Sequence, residues 1–291
     1  MYTEWETALT LFTRFCPFCS FFPAIMFRML STLNQCFITR RFAFAAAALG
    51  LSLTGCKDTV EVLPDSGTDY YPVAVGNFWV YAVADTTWSL ASQSTPSVRT
   101  ASAFQFKETI TETLTDAAGQ KAYRLVRAKR LTPADAWRND SVFILSANLQ
   151  FVALNRNNAR TLELIFPVKE GRSWNFNAFN NSSNDIITEE TRQYSRIGQP
   201  FISRVVAGNP VITYPATITT ENTGTANQNT LLKILNYQQV FAKKVGPVSR
   251  RRRYLLPFNY VDSRSGNQIY IPGSYFSASV RHETLIDYGP R

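Results

Sequence analysis

Phe104-Gln105-Phe106-Lys107-Glu108-Thr109-Ile110-Thr111-Glu112-Thr113-Leu114 is the stretch that decides the fold class. Phe104, Phe106, Glu108, Ile110, Glu112 and Leu114 share one side of an extended chain, and polar residues and Thr fill the other. Successive side chains of a strand point to opposite faces, so this period of two reads as a β-strand with one face on a core. A turn follows at 116–119, and Tyr123-Arg124-Leu125-Val126-Arg127-Ala128 returns as the second arm of a hairpin.

Outward from this hairpin the same reading repeats. A first strand is expected over 78–83. Others are expected over 141–145, 151–154, 161–166, 201–206, 211–220, 231–242, 248–256 and 275–287, and all are rich in Thr, Val, Ile, Tyr and Phe. Polar turns punctuate them at 155–158, 170–171, 180–184, 208–210 and 222–224. The expected fold is therefore mainly β, an antiparallel sheet in the form of a sandwich, a curled sheet or an open barrel, with little helix. Residues 134–138 are the only helical candidate, and no fixed-period repeat points to a propeller or solenoid. Pro-x-x-x-Gly-x-x-Trp occurs twice at the same spacing, over 72–79 and 167–174. Proline sets an extended entry, glycine supplies a positive-φ turn, and the tryptophan starts a strand with a large buried ring. Trp79 and Trp174 are thus read as turn anchors. Trp88 and Trp137, in polar and less periodic surroundings, are the candidates for exposed rings that stack on a ligand such as a sugar.

Ahead of the body, Arg40-Arg41 precede the short apolar stretch 42–53 and then Leu53-Thr54-Gly55-Cys56. The apolar run is shorter than the roughly 20 residues a spanning helix needs, and it suits the core of an export signal. The Leu-Thr-Gly-Cys run resembles the lipobox of bacterial lipoproteins. That resemblance implies a diacylglyceryl thioether on Cys56, cleavage before it, and a mature protein held on a membrane of the cell envelope, the outer membrane rather than the inner. Two or more acyl chains, palmitate among them, anchor a protein stably where one does not. Arg40-Arg41-Phe42 also has a slight likeness to a twin-arginine signal. Residues 1–28 fit poorly before such a signal, because Glu4 and Glu6 are acidic where basic charge belongs and Met26 and Met29 offer alternative starts. Cys16-Pro17-Phe18-Cys19 is accordingly discounted as a redox or metal motif. The expected organisation is a signal region 1–55, a polar tether 56–69 and one β-rich domain 70–291.

Three segments of the body are similar to a family of β-rich, uncharacterised bacterial envelope lipoproteins: Tyr71-Pro72-Val73-Ala74-Val75-Gly76-Asn77-Phe78-Trp79-Val80-Tyr81, Leu164-Ile165-Phe166-Pro167-Val168-Lys169-Glu170-Gly171-Arg172-Ser173-Trp174-Asn175, and Tyr237-Gln238-Gln239-Val240-Phe241-Ala242-Lys243-Lys244-Val245-Gly246-Pro247-Val248. The resemblance implies the fold and the location, and no reaction.

Composition narrows the chemistry. Four of the 30 basic and two of the 21 acidic residues precede Cys56, so the mature chain carries a formal charge of +7. Such a surplus suits anionic lipid headgroups and acidic glycans, and it equally serves solubility. All four cysteines lie at 16, 19, 36 and 56, so the mature body has no disulfide and must be held by packing. The run Arg250-Arg251-Arg252-Arg253 alternates faces on a strand and cannot form one flat patch. Both faces are expected wet, as at a strand end or a charged sheet edge, and the run is the candidate contact for an acidic headgroup or glycan. A nucleic-acid groove would need interleaved aromatic platforms, and only Tyr254 adjoins the run.

His282 is the sole histidine, which excludes a two-histidine zinc site, and no Gly-x-Ser-x-Gly elbow offers a nucleophile. With Glu283 beside it, His282 reads as a surface or cross-strand residue. Asp185, Glu189 and Glu190 could supply paired carboxylates for glycoside cleavage, but they sit in an Asn/Ser-rich loop. Asp85-Thr86-Thr87 and Asp140-Ser141-Val142 resemble short O-glycosylation acceptors. No cofactor or metal is expected. The reading is a membrane-anchored envelope lipoprotein acting as a binding or structural module for a glycan, a lipid or an envelope protein. A carboxylate-dependent carbohydrate enzyme and an assembly factor are the alternatives.

Overall fold

The computed structural model describes residues 65–116, 118–156, 159–180, 190–223 and 230–290. The signal region, Cys56, the first part of the expected tether, Asp185 and Glu189 lie outside the described residues. Twelve strands make one antiparallel sheet: β1 (Phe78–Trp88), β2 (Arg99–Thr115), β3 (Lys121–Arg130), β4 (Arg138–Ala147), β5 (Phe151–Arg156), β6 (Ala159–Ile165), β7 (Ser173–Asn175), β8 (Thr191–Ile202), β9 (Thr213–Asn222), β10 (Ile234–Ala242), β11 (Gly246–Val261) and β12 (Gln268–Gly289). The order is β6-β5-β4-β3-β2-β1-β12-β11-β10-β9-β8-β7. Neighbours in space are neighbours in sequence, except that β1 joins β12. The sheet is therefore a meander curled into a nearly closed barrel, the curled-sheet form of the expected architecture.

The seam between β6 and β7 is bridged without a regular ladder. The Leu162 amide donates to the Phe176 carbonyl at 2.8 Å and the Trp174 indole N–H donates to the Leu162 carbonyl at 3.0 Å. The Tyr194 hydroxyl donates to the Ile165 carbonyl at 2.7 Å and accepts from its amide at 2.9 Å. These bonds satisfy polar groups that a free edge would leave open.

Both Pro-x-x-x-Gly-x-x-Trp segments do what their spacing predicts. Gly76 and Gly171 have positive φ, and Trp79 and Trp174 open β1 and β7 with buried rings. The Trp79 indole donates to the Val245 carbonyl at 2.6 Å, and Tyr71 packs edge-on to it at 5.8 Å between ring centres. Gly246 (φ 103°) passes so close beneath that a Cβ there would lie 2.9 Å from the indole nitrogen. Trp79, Tyr71 and Phe241 form the barrel's floor. Residues 65–69, expected at the end of a tether, are part of this body. Ser66 accepts from the Val168 amide at 3.1 Å, the Asp69 carbonyl accepts from the Lys244 amide at 2.8 Å, and Asp65 pairs with Lys243. Their polar side chains and carbonyls bind neighbouring elements, so polarity alone was a poor guide to looseness there.

Three other expectations change. Residues 134–138 form no helix; they are a loop ending at the start of β4. The strand expected over 201–206 is β8, which begins at Thr191 and ends at Ile202. Its inward residues include Arg192 and Tyr194, and a strand that turns a charge inward lacks the apolar alternation by which strands are found. The arginine run is also not at an edge, because β11 lies between β10 and β12.

Beyond Ser195 the β8–β9 register shifts, with Arg196 and Gly198 at positive φ. The connection over 203–212 then lies against the side of β1, β2 and β12 that faces away from the lumen. Arg204 there bonds to His282, with Arg204 Nη1 2.9 Å from His282 Nδ1.

Candidate functional site

The barrel interior changes character within one step of the strand period. Ile110, Leu125, Leu285 and Tyr194 are buried in the apolar core. Two residues along the same strands, on the same face, stand Glu108, Arg127, Glu283 and Arg192. An eight-stranded barrel is just wide enough for side chains to fill. Twelve strands enclose more space, and here an ionised layer occupies it above the floor.

Arg250 is the centre of that layer. Its Nη1 and Nη2 donate to the two Glu108 oxygens at 3.1 and 2.9 Å, and Nη1 also donates to Glu283 at 3.1 Å. The guanidinium lies 4.7 Å from the centre of the Tyr81 ring. Around it, Arg156 pairs with Glu163 at 2.9 Å, and Thr161 donates to the same carboxylate oxygen at 3.0 Å. The Arg127 Nε donates to Asp140 at 2.7 Å, and the guanidinium lies over Phe106 at 4.2 Å. Arg192 pairs with Glu190 and packs over Phe176 and Tyr237 at 4.0 and 3.3 Å. One row nearer the mouth, Arg281 donates to Asp85 at 2.6 Å, and Arg252 stands across from Arg281 in register.

Burial alone would raise the Glu108 carboxyl, but the charge and hydrogen bonds of Arg250 hold it below its ordinary value, so it stays ionised. Burial works against the Arg250 charge as well, and Glu108 outweighs it to push that group up. The Tyr81 and Tyr237 hydroxyls are raised by burial and remain protonated.

Between these groups lies a cavity of about 330 Å³. Arg127, Arg156, Arg192, Arg250, Arg251, Arg252 and Arg281 line it against Glu108, Glu190 and Glu283, with Phe176 and Tyr237 as aromatic wall. Two donors of these lining residues, the Nε groups of Arg192 and Arg250, are closed off from solvent and have no hydrogen-bond partner among the described residues. Arg252 enters no ion pair among the described residues.

The sequence candidates divide. Arg250 and Arg252 face the lumen, and Arg251, across from His282, has the opposite parity although it also borders the cavity. Arg253 shares that parity and faces out. Trp88 ends β1 half-buried and edge-on to Tyr275 at 5.5 Å. Trp137 sits in the β3–β4 loop under the Arg130 guanidinium at 4.2 Å. Neither lines the lumen cavity. Glu190, a candidate acid in the sequence, is instead the ion-pair partner of Arg192. Ser141, in one of the acceptor-like tripeptides, donates to Asp140 at 2.9 Å and receives Arg127 at 3.1 Å. Sequence reasoning missed Glu108, Glu283, Arg156, Glu163 and Arg192 as site residues. The available signal was a charge standing at period two among large apolar residues, as Glu108 does beside Phe106 and Ile110.

A second cavity, about 400 Å³, lies outside the barrel wall beneath the 203–212 connection, with Ala82, Ala84, Ala103, Val205, Leu131 and His282 among its walls. Comparison with protein-family models, with curated proteins and with solved structures finds no match to this chain.

Proposed function

We propose that this chain is a lipid-anchored cell-envelope protein whose β-barrel body binds a ligand or partner without transforming it. The anchor rests on the signal-like segment and Leu53-Thr54-Gly55-Cys56, which together specify export and acylation. The body's role rests on one observation, the Arg250 clamp. Glu108 and Glu283 converge beside the lumen cavity, as a two-carboxylate glycosidase would require. Such an enzyme needs one carboxyl kept protonated as the acid. Arg250 ties both, and Glu108 is held ionised. The guanidinium that holds Glu108 ionised borders a polar, partly open cavity of the size that holds a small ligand. Glycan, lipid headgroup and envelope-protein segments are the ligand classes this reading admits.

The anchor is tested by growing the producing bacterium with radiolabelled palmitate. The protein is expected to take up label and to fractionate with membranes, and Cys56→Ser is expected to lose the label and leave the membrane fraction. An unlabelled protein that fractionates like its Cys56→Ser variant overturns the lipoprotein reading.

A further inference from the structure

We infer that the lumen cavity is a binding site for a small phosphate- or carboxylate-bearing solute, held by the inward arginines. The inference deepens the binding role proposed for the lumen and is independent of the lipid anchor. Three observations carry it. First, the wall is unequal: among the described residues seven arginines border the cavity against three glutamates. The carboxylates that balance Arg127, Arg156 and Arg281, namely Asp140, Glu163 and Asp85, do not line the cavity. A solute in the cavity therefore meets guanidinium edges more than carboxylate edges.

Second, the ion-pair network leaves donors over. Arg192 is only 3% exposed, and its Nε has no partner even though its outer nitrogen pairs with Glu190. Arg250 spends both Nη groups on Glu108 and Glu283, and its buried Nε is likewise unpartnered. Neither nitrogen is accessible from the cavity as it stands, so each meets an acceptor only if its guanidinium turns when the solute enters, which recovers the free energy that an unmet buried donor costs. Third, Arg252 stands one row toward the mouth, across from Arg281 and with no carboxylate paired to it among the described residues. Guanidinium forks match the paired oxygens of phosphate and carboxylate better than any other side chain does. Tyr237 and Phe176, already stacked on Arg192, add an apolar side for the part of the solute that bears the anion.

Arg252 is the residue that separates this site from a general basic surface. It is exposed and enters no ion pair among the described residues, so its replacement strips no buried partner there. Arg253, the next residue, carries the same charge on the opposite face of the same strand. The experiment is calorimetric titration of the full-length protein in neutral detergent with inorganic phosphate, glycerol 3-phosphate and maltose, beside co-sedimentation with phosphatidylglycerol vesicles. Saturable binding of at least one soluble phosphate is expected, weakened by salt. Arg252→Glu is expected to cut the affinity at least ~10-fold, the scale of a lost charge-assisted bond plus a repulsion. Arg253→Glu is expected to leave it within about twofold, since a charge outside the wall is screened. Equal losses in the two variants, or binding to vesicles alone, would assign the effect to surface charge and overturn the inference. Binding of maltose without either phosphate would overturn the anionic class while keeping a binding lumen. No saturable binding of any soluble probe would sink both.

Discussion

Strands β11 and β12 carry two ion-bearing contacts on opposite sides of one wall, a single residue apart. Inside, Arg250 meets Glu108 and Glu283, all three largely removed from water. Outside, His282 meets Arg204 from the 203–212 connection, with Ser249 Oγ 3.4 Å from its other ring nitrogen. The inner contact joins opposite charges, and the Arg250 cation stabilises both carboxylates against burial and against each other. The outer contact joins a cation to a ring that can accept a hydrogen bond only while it is neutral. The strands and register are shared, and only the side-chain parity differs. Parity decides which side of the wall a residue occupies, and the medium there decides what its charge does.

Removing Arg250 is the strongest way to break this contrast. Arg250→Met would leave Glu108 and Glu283 facing each other in the barrel, and stripping one partner from a buried pair costs about 3–5 kcal/mol. For a body of this size that corresponds to a melting point lower by ~10 °C. Combining Arg250→Met with Glu108→Gln and Glu283→Gln is expected to recover more than half of the loss, because the cost lies in orphaned charge rather than in lost shape. The check is thermal unfolding at neutral pH. A single Arg250→Met variant as stable as the parent would show that the clamp is not buried as described.

The inner face has its own acid window, and the next largest effect lies there. Glu108 has an ordinary value of 4.5 and a lower one in the fold, where Arg250 outweighs the effect of burial. The folded state therefore binds fewer protons than the unfolded one in that range. The stability due to this group is fully present above 4.5 and is lost as pH falls through the lowered folded value. Denaturant unfolding followed from pH 6 to 3 should show that slope, and Glu108→Gln should flatten it. An identical slope in both proteins would assign acid sensitivity to other carboxylates.

How much of this was legible depends on parity too. The 104–114 alternation marked β2, its turn and β3, and it placed Glu108 with Phe106 and Ile110. The spacing of Pro72, Gly76 and Trp79, and of Pro167, Gly171 and Trp174, marked two buried indoles correctly. Hydrophobic alternation ceases to mark strands where the barrel interior is itself polar. β8 puts Arg192 inward and so reads as a loop by hydrophobic pattern, although it spans twelve residues. The arginine run shows the same difficulty, since alternation was visible but not that one face of β11 was enclosed. Enclosure is a property of the curled sheet, set by β1 pairing with β12 across nearly the whole chain. Arg204 and His282 are 78 residues apart, and no local signal joins them.

The smallest effect expected is on the outer face. His282 has an ordinary value of 6.5, lowered first by burial and then by the cations Arg204 and Arg251. The groups around it are Arg204 from the 203–212 connection, Arg251 and Ser249 from β11, and Ala84 across from it on β1; Glu283, its neighbour in sequence, points into the lumen. Arg204 donates to Nδ1, so the ring must carry its proton on Nε2, toward Ser249. Protonating Nδ1 would set two donors and two positive charges against each other. With the folded value lowered, this contact stabilises fully above 6.5 and weakens as pH falls through the lowered value. Because the contact is partly exposed, global stability should shift less than in either inner-face experiment. The readout belongs in the connection itself, where the Ser203 amide donates to the Ile212 carbonyl and the Ile212 amide to the Ser203 hydroxyl. Hydrogen exchange at these two amides, corrected for the intrinsic pH dependence of exchange, should accelerate between pH 7 and 5 in the parent and stay level in His282→Gln. The β2 amides flanking Glu108 should be unchanged over the same interval, because that carboxylate does not titrate until lower pH. Parallel acceleration on both sides of the wall would mean that the two faces open together, and that parity separates their chemistry but not their motion.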